Sequence, residues 1–176
     1  VTYALRGFAD PPRPELIGML VGLCVAEVLG CAIAWPNDLM LGGKKVGGVL
    51  AEMVPAAEGK VPVVGVGVNL TVAEFPADLA SSASSFSLEG RLTPPPDVLA
   101  QTIWRAIAAR RAPESFADLA ADWTVRDATP GKRYVLPDGR EAIAQAVSPD
   151  GELIAVAAGE TVTVPSAEAW ADPANR

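Results

Sequence analysis

"AWPNDLMLGGKKVGGVLAEM", residues Ala34–Met53, sets two apolar runs around a Gly-Gly-Lys turn and places Asn37, Asp38, Lys44 and Lys45 among them. Apolar runs bounded by glycine read as strands joined by a hairpin turn. Lysines at such places often only keep a strand edge soluble. The other reading makes Lys45 a cation directed at an anionic ligand, with Asn37 and Asp38 beside it.

Working outward, "CAIAWPNDLML" reads as one strand with a bend or bulge at Pro36, because proline cannot donate to a ladder. "GGK" turns the chain, "KVGGVLAEMV" returns, and "PAAEGK" turns it again into the valine-rich "VPVVGVGVNL". The expectation is an antiparallel meander. Upstream, "VTYALRGF" reads as a strand, and Pro14 opens an apolar helix that Gly30 closes after Leu29. Downstream, "FPADLASSASSFSLEGRLTPPP" is a polar connector. "PDVLAQTIWRAIAARRA" then reads as a helix with Val98, Leu99, Ile103 and Ile107 inward and Arg105, Arg110 and Arg111 outward. A shorter helix, "PESFADLAADW", ends near Trp123, after which short alternating strands are separated by "PDG", "SPDG" and "AGE" turns. That regular spacing predicts a small β-barrel over about Val125–Val164.

Composition bounds the chemistry. Half of the 176 residues are hydrophobic, enough for one core and a small second one. A net charge of −7 and a pI near 4.6 argue against nucleic-acid binding, since no basic run is present to neutralise a phosphate track. The longest apolar stretch, Glu15–Gly30, carries Glu15 and Glu27 and is short for a bilayer. With no export signal at the start, a cytoplasmic protein without membrane contact is expected. Cys24 and Cys31 are expected to be buried thiols. The absence of histidine removes Ser/His/Asp and Cys/His machinery and ordinary zinc sites. Catalysis would rest on lysine, arginine, carboxylates, asparagine and backbone amides.

The glycines form no nucleotide loop. "GGKKVGG" lacks the spacing of a phosphate-binding P-loop, and "GVGVNL" has Leu70 where a dinucleotide fingerprint needs its third glycine. Gly47, Gly48, Gly65 and Gly67 nevertheless lie on neighbouring predicted strands. There they let a ligand lie flat on the sheet, or equally make room for a packed helix.

The stretch "WPNDLMLGGKKVGGVLAEM", followed by a turn and "VVGVGVNL", resembles the core of the biotin–protein ligases. The family pattern is K-W-P-N-D-[LIV], then K-[LV]-[AG]-G-[IV]-L-x-E, then G-[IVA]-G-[IV]-N. The similarity extends in order over essentially the whole chain and implies an α+β fold. A mixed, largely antiparallel sheet with packed helices (residues 1–124) would precede a small C-terminal SH3-like barrel and tail (residues 125–176). It implies an ATP-dependent ligase that converts biotin and MgATP to biotinyl-AMP. The biotin would then pass to a lysine on the biotin carrier domain of acetyl-CoA carboxylase or a related carboxylase. By that resemblance Lys45 touches both the biotin carboxylate and the α-phosphate of ATP. Gly48, with Gly47, Gly65 and Gly67, meets biotin. Asn37, Asp38 and Asn69 line the nucleotide side, and Asp38 holds Mg²⁺, a turn role being the alternative for that residue. Trp35 is assigned to packing. A homodimer formed by joining sheets is what the resemblance implies for bacterial members.

Two departures accompany these matches. Ala34 stands where the family carries lysine. The family's glycine/arginine-rich loop, upstream of a strand like "VTYALRGF", is not among these residues, so an N-terminally truncated or partial member is expected, with Lys45 facing a cleft open to water. The alternative is a non-catalytic remnant serving as a ligand-binding or interaction module. A lipoate-type ligase is a third reading, which the W-P-N-D hairpin disfavours.

Overall fold

The computed structural model describes residues 1–57, 59–165 and 170–171. It is α+β, with two five-stranded antiparallel sheets and three helices. The first sheet contains β1 (Thr2–Ala4), β2 (Ala32–Ala34), β3 (Asp38–Leu41), β4 (Lys44–Ala56) and β5 (Gly59–Val68), in the order β1-β5-β4-β3-β2. The long β4–β5 hairpin is its spine, in register from Gly47↔Val68 to Ala56↔Gly59.

The predicted single bent strand around Pro36 is two strands. β2 and β3 pair antiparallel with Ala34 opposite Asp38, so Trp35, Pro36 and Asn37 form a tight reversal whose Trp35–Pro36 peptide is cis. Pro36 therefore ends pairing altogether, and the meander has four strands, with β1 added on the far side of β5.

A 3₁₀ turn at Pro14–Leu16 leads into α1 (Ile17–Leu29), and Gly30 closes it in the left-handed conformation, φ 61°, as the sequence predicts. The Gly30 amide returns to the carbonyls of Ala26 and Glu27, satisfying the last turn. α1 is apolar around most of its circumference because it is covered on both sides. One side packs on the first sheet, where Gly18 faces Ala51 and Gly22 faces Ile33 so closely that a Cβ at Gly22 would lie 2.7 Å from the isoleucine Cδ1. The other side carries α2 (Pro96–Ala108) and α3 (Ala117–Arg126). Leu99, Ile103 and Ile107 of α2 are buried, whereas Val98, expected inward, is 47 % exposed. It lies beside the inward row rather than on it. Arg110 ties the layer together by pairing with Asp122 at 2.7 Å and Glu27 at 3.1 Å.

The second sheet contains β6 (Arg133–Val135), β7 (Glu141–Val147), β8 (Leu153–Ala157), β9 (Glu160–Val164) and β10 (Trp170–Ala171). Its turns fall at the predicted "PDG", "SPDG" and "AGE" sites. Pairing runs β10-β6-β7-β8-β9 and stops, so among the described residues the sheet is open rather than the closed barrel expected. The buried residues of both sheets form one continuous core, running from Ile17 and Leu39 to Tyr134 and Leu153.

Trp35 joins the two sheets. It is 1 % exposed, and each of its polar groups finds a partner from beyond α3. Its amide donates to Thr129 Oγ1 (3.0 Å), its indole Nε1 donates to the Gly151 carbonyl (2.9 Å), and its carbonyl accepts from the Tyr134 hydroxyl. The Tyr134 ring meets the indole edge-on at 5.8 Å. The packing role read from the sequence is present, with three hydrogen bonds added.

Candidate functional site

One face of the first sheet is sealed by α1. The opposite face carries a cleft of about 500 Å³ lined by Asp38, Lys45, Gly48, Leu50, Gly65 and Gly67 among others. Strand alternation explains the floor. Gly48 pairs with Gly67 and Leu50 with Gly65, so these four share a face, and Asp38, the partner of Gly48 on the other side, shares it too. Three of the five positions lack side chains, and a flat strip of backbone results.

Strict alternation would turn Lys45, three residues before Gly48, to the helix side. It does not, because the β3–β4 register slips between Leu39, which pairs with Gly47, and Met40, which pairs with Lys45. Val46 is the extra residue and is fully buried. The bulge re-aims Lys45 onto the cleft face, a recognised use of such irregularities. Its backbone is then satisfied by the connector: the Lys45 amide donates to the Ser82 carbonyl at 2.8 Å and its carbonyl accepts from the Ser84 amide at 2.9 Å. The polar connector is thus partly structural, with Ser84, Ser85 and Phe86 buried.

Lys45 Nζ lies 2.6 Å from Asp38 Oδ1, with the two side chains 29 % and 14 % exposed. Lys44 turns away, its ammonium donating to the Ala80 carbonyl at 3.0 Å. Asn37 lines the cleft and bonds Val49 twice: its side-chain amide donates to the Val49 carbonyl, and its own carbonyl accepts from the Val49 amide. The turn is thereby fixed and Asp38 held beneath the lysine.

Of the residues expected at the site, the structure gathers Lys45, Asp38, Asn37, Gly48, Gly65 and Gly67 around one cleft. Gly47 and Asn69 lie outside its lining. Gly47 faces the other way, where a Cβ would come within 2.4 Å of the Gly67 carbonyl oxygen, so its glycine is required by strand packing. The Asn69 amide is engaged with the Ser84 carbonyl at 3.2 Å, helping to hold the segment that braces Lys45. Ala34, where the family pattern has lysine, is buried opposite Asp38.

Sequence reasoning missed Thr129, Ser82, Ser84 and Lys132. The first three act on the site through backbone partners, which residue type does not announce. Lys132 precedes β6 and reads as an ordinary surface lysine, yet it is half-buried beside the first sheet. Burial pushes its ammonium below the usual lysine value, Asp38 pulling it back up and Lys45 adding to the fall.

A helix-backed antiparallel sheet with a glycine floor and one lysine–carboxylate pair is the arrangement that the comparisons with known proteins address. The sequence model of the biotin/lipoate A/B protein ligase family matches residues 26–69, the segment that forms the end of α1, the hairpins and the cleft. The biotin–[acetyl-CoA-carboxylase] ligase of Mycobacterium tuberculosis is 31 % identical over 163 residues, covering 84 % of this chain and 59 % of that protein. The chain therefore spans somewhat more than half the length of that relative. Among solved structures, the biotin protein ligase of Aquifex aeolicus superposes with a TM-score of 0.74 at 18 % identity, covering 97 % of this chain and 80 % of the other. The same organism's enzyme in complex with biotin and ATP gives 0.65 at 19 % identity, covering 96 % and 75 %. The chain is thus similar in sequence to biotin–[acetyl-CoA-carboxylase] ligase over most of its length and shares the fold of the biotin protein ligases.

Proposed function

We propose that the chain carries the adenylation site of a biotin protein ligase, activating biotin with ATP and passing it to a lysine of a carboxylase's biotin carrier domain. The observation that carries this reading is the bulge-directed placement of Lys45 over the glycine strip, paired with Asp38. It is supported by the relative's name and by the neighbour that binds biotin and ATP.

The chemistry follows from charge. In the first step a biotin carboxylate oxygen attacks the α-phosphorus, the bond to the oxygen bridging to the β-phosphorus breaks, and pyrophosphate leaves with that oxygen. Two anions must approach, and a fixed ammonium between them offsets the repulsion while charge builds in the transition state. Lys45 suits this as a compact cation on a stem held by its bulge. Asp38 keeps the ammonium in place before substrates arrive. Gly48, Gly65 and Gly67 leave room for the biotin ring against backbone, with the exposed Leu50 as an apolar wall. In the second step the carrier's ε-amine attacks the acyl carbon, an amide forms, the acyl–oxygen bond breaks, and AMP leaves while the amine proton passes to solvent.

Asp38 would also offer its second oxygen to a magnesium ion brought in by the triphosphate. Among the described residues no group of three or more acidic, histidine or cysteine side chains is arranged for a metal. That suits an ion held mainly by phosphates and water. The second sheet is read as the counterpart of the family's SH3-like module, and a homodimer through the first sheet's edge belongs to the same reading. No helix among the described residues is long and apolar enough to cross a membrane.

The test is biotin-dependent exchange of labelled pyrophosphate into ATP by the full chain. Exchange that requires both biotin and Lys45 upholds the reading. Biotin or nucleotide binding without exchange would leave the chain as a binding module.

A further inference from the structure

The chain reverses between Trp35 and Asn37, and the peptide linking Trp35 to Pro36 has no N–H, because proline lacks one. The Trp35 carbonyl is therefore the only group through which hydrogen bonding can fix the orientation of that peptide. It accepts from the Tyr134 hydroxyl. Tyr134 belongs to β6 of the second sheet, 99 residues further along the chain, and is 1 % exposed. Its ladder partner in β7 is the small Ala142, and its ring meets the Trp35 indole edge-on. Packing as well as hydrogen bonding thus holds the hydroxyl to the carbonyl. Burial pushes the hydroxyl above the usual tyrosine value, so it stays a donor through the working pH range.

The far end of the reversal is tied to β4, where Asn37 bonds Val49 through both its side-chain amide and its carbonyl. Asp38 leaves the turn just beyond these two anchors, opposite Ala34 on one side and Gly48 on the other. Its carboxylate meets Lys45 Nζ at 2.6 Å. The ring of Pro36 locks its φ, so a rotation of the Trp35–Pro36 peptide passes into Asn37 and Asp38 with little loss. A reacting group misplaced by about 1 Å costs on the order of 100-fold in rate.

We propose that Tyr134 is a positioning residue for biotin activation: by holding the Trp35 carbonyl it sets the direction in which Asp38 presents its carboxylate to Lys45. This rests on the adenylation reading above. Tyr134 lies outside the lining of the cleft and acts only through the turn. Thr129 secures the Trp35 amide, on the β2 side of the reversal, whereas Tyr134 secures the peptide at which the reversal begins. The lysine matters most while charge builds at the α-phosphorus. A displaced Asp38–Lys45 pair therefore slows the chemical step more than it weakens binding.

The experiment uses the full chain with Tyr134→Phe, which removes the hydroxyl and keeps the ring against the indole. Ile103→Val, a buried change in α2 on the far side of α1, lowers stability without touching the turn and is the structural control. In biotin-dependent pyrophosphate exchange, kcat should fall about tenfold or more in Y134F, with KM for biotin and ATP within about twofold of wild type. I103V should keep the wild-type kcat. Asp38→Asn should cost much less in the Y134F background than in the wild type, because both changes act on one pair. Wild-type kcat in Y134F, an equal fall in I103V, or losses that multiply in the double variant would overturn the assignment. Backbone amide shifts of the ligand-free chain give a readout independent of the reaction. Those of Asn37, Asp38 and Gly48 should move in Y134F and stay in place in I103V, and unmoved shifts in Y134F would overturn the assignment even if kcat fell. Moved shifts in a chain without biotin-dependent exchange would uphold the tether on the turn and sink the adenylation reading instead.

Discussion

Lys44 and Lys45 are adjacent, alike in charge, and opposite in consequence. One reaches the Ala80 carbonyl on the connector, and the other sits over Asp38 in the cleft. Removing the second should therefore abolish chemistry without unfolding the protein. Lys45→Met is expected to lower biotin-dependent pyrophosphate exchange by roughly 100-fold or more, with Lys44→Met near wild type. Circular dichroism and melting temperature should be little altered in either. The glycines separate in the same way. Gly47→Ala forces a Cβ to 2.4 Å from the Gly67 carbonyl oxygen, so it should cost about 1–3 kcal/mol in denaturant unfolding. Gly67→Ala meets nothing within 4 Å and should leave stability unchanged while weakening biotin binding, since the added methyl projects into the ligand strip. Equal stability losses in both would contradict the facing assigned to these strands.

At the scale of elements, the β2–β3 reversal is held from outside itself. Thr129 is fully buried and accepts the Trp35 amide, so Thr129→Val leaves a buried donor unpaired at nearly constant volume. The expected cost is about 1–3 kcal/mol. Exchange activity should fall as well, because Asn37 and Asp38 follow directly on the loosened turn. A variant with full stability and activity would show that the clamp does not position the site. The same elements mark the limits of sequence reading. α1 was legible because Pro14 and Gly30 punctuate an apolar run, and the second sheet's hairpins because their turn residues are regularly spaced. At Pro36 the sequence predicts a bend where the chain reverses, since proline signals broken pairing without saying whether the chain turns back. The bulge left no trace in "KKVGG", because whether Val46 is extra depends on β3 across the ladder. The resemblance singles out Lys45, and the structure places it in the cleft beside Asp38. Its facing, and the buried serines and Lys132 around it, depend on contacts between distant segments and could not be read from local pattern.

At the scale of the whole molecule, the two layers share one interior, and its ionisable groups are few. Cys24 and Cys31 are both free and buried. Burial pushes each thiol up to about 11. A raised value in the folded state means that their contribution to stability is complete at neutral pH. It declines as pH climbs from about 8.5, where thiols in the unfolded chain begin to ionise, toward 11. The melting temperature should fall across that window, and Cys24→Ala/Cys31→Ala should flatten the fall. Both thiols should resist alkylation at pH 8 in the native protein and react fully in denaturant. Fast labelling of the native protein would show that the core opens more readily than its packing implies.

The tryptophan shared by the two sheets has a further consequence for biosynthesis. Its indole partner, Gly151, lies 116 residues later in the chain. As the polypeptide leaves the ribosome, the hairpins that line the cleft emerge long before the backbone that anchors them. The hairpins can collapse as they emerge, but they cannot acquire their final geometry until the segment carrying Gly151 has been translated. A product stalled before Gly151 would carry the whole Asp38–Lys45 hairpin yet lack the backbone that fixes the turn preceding it.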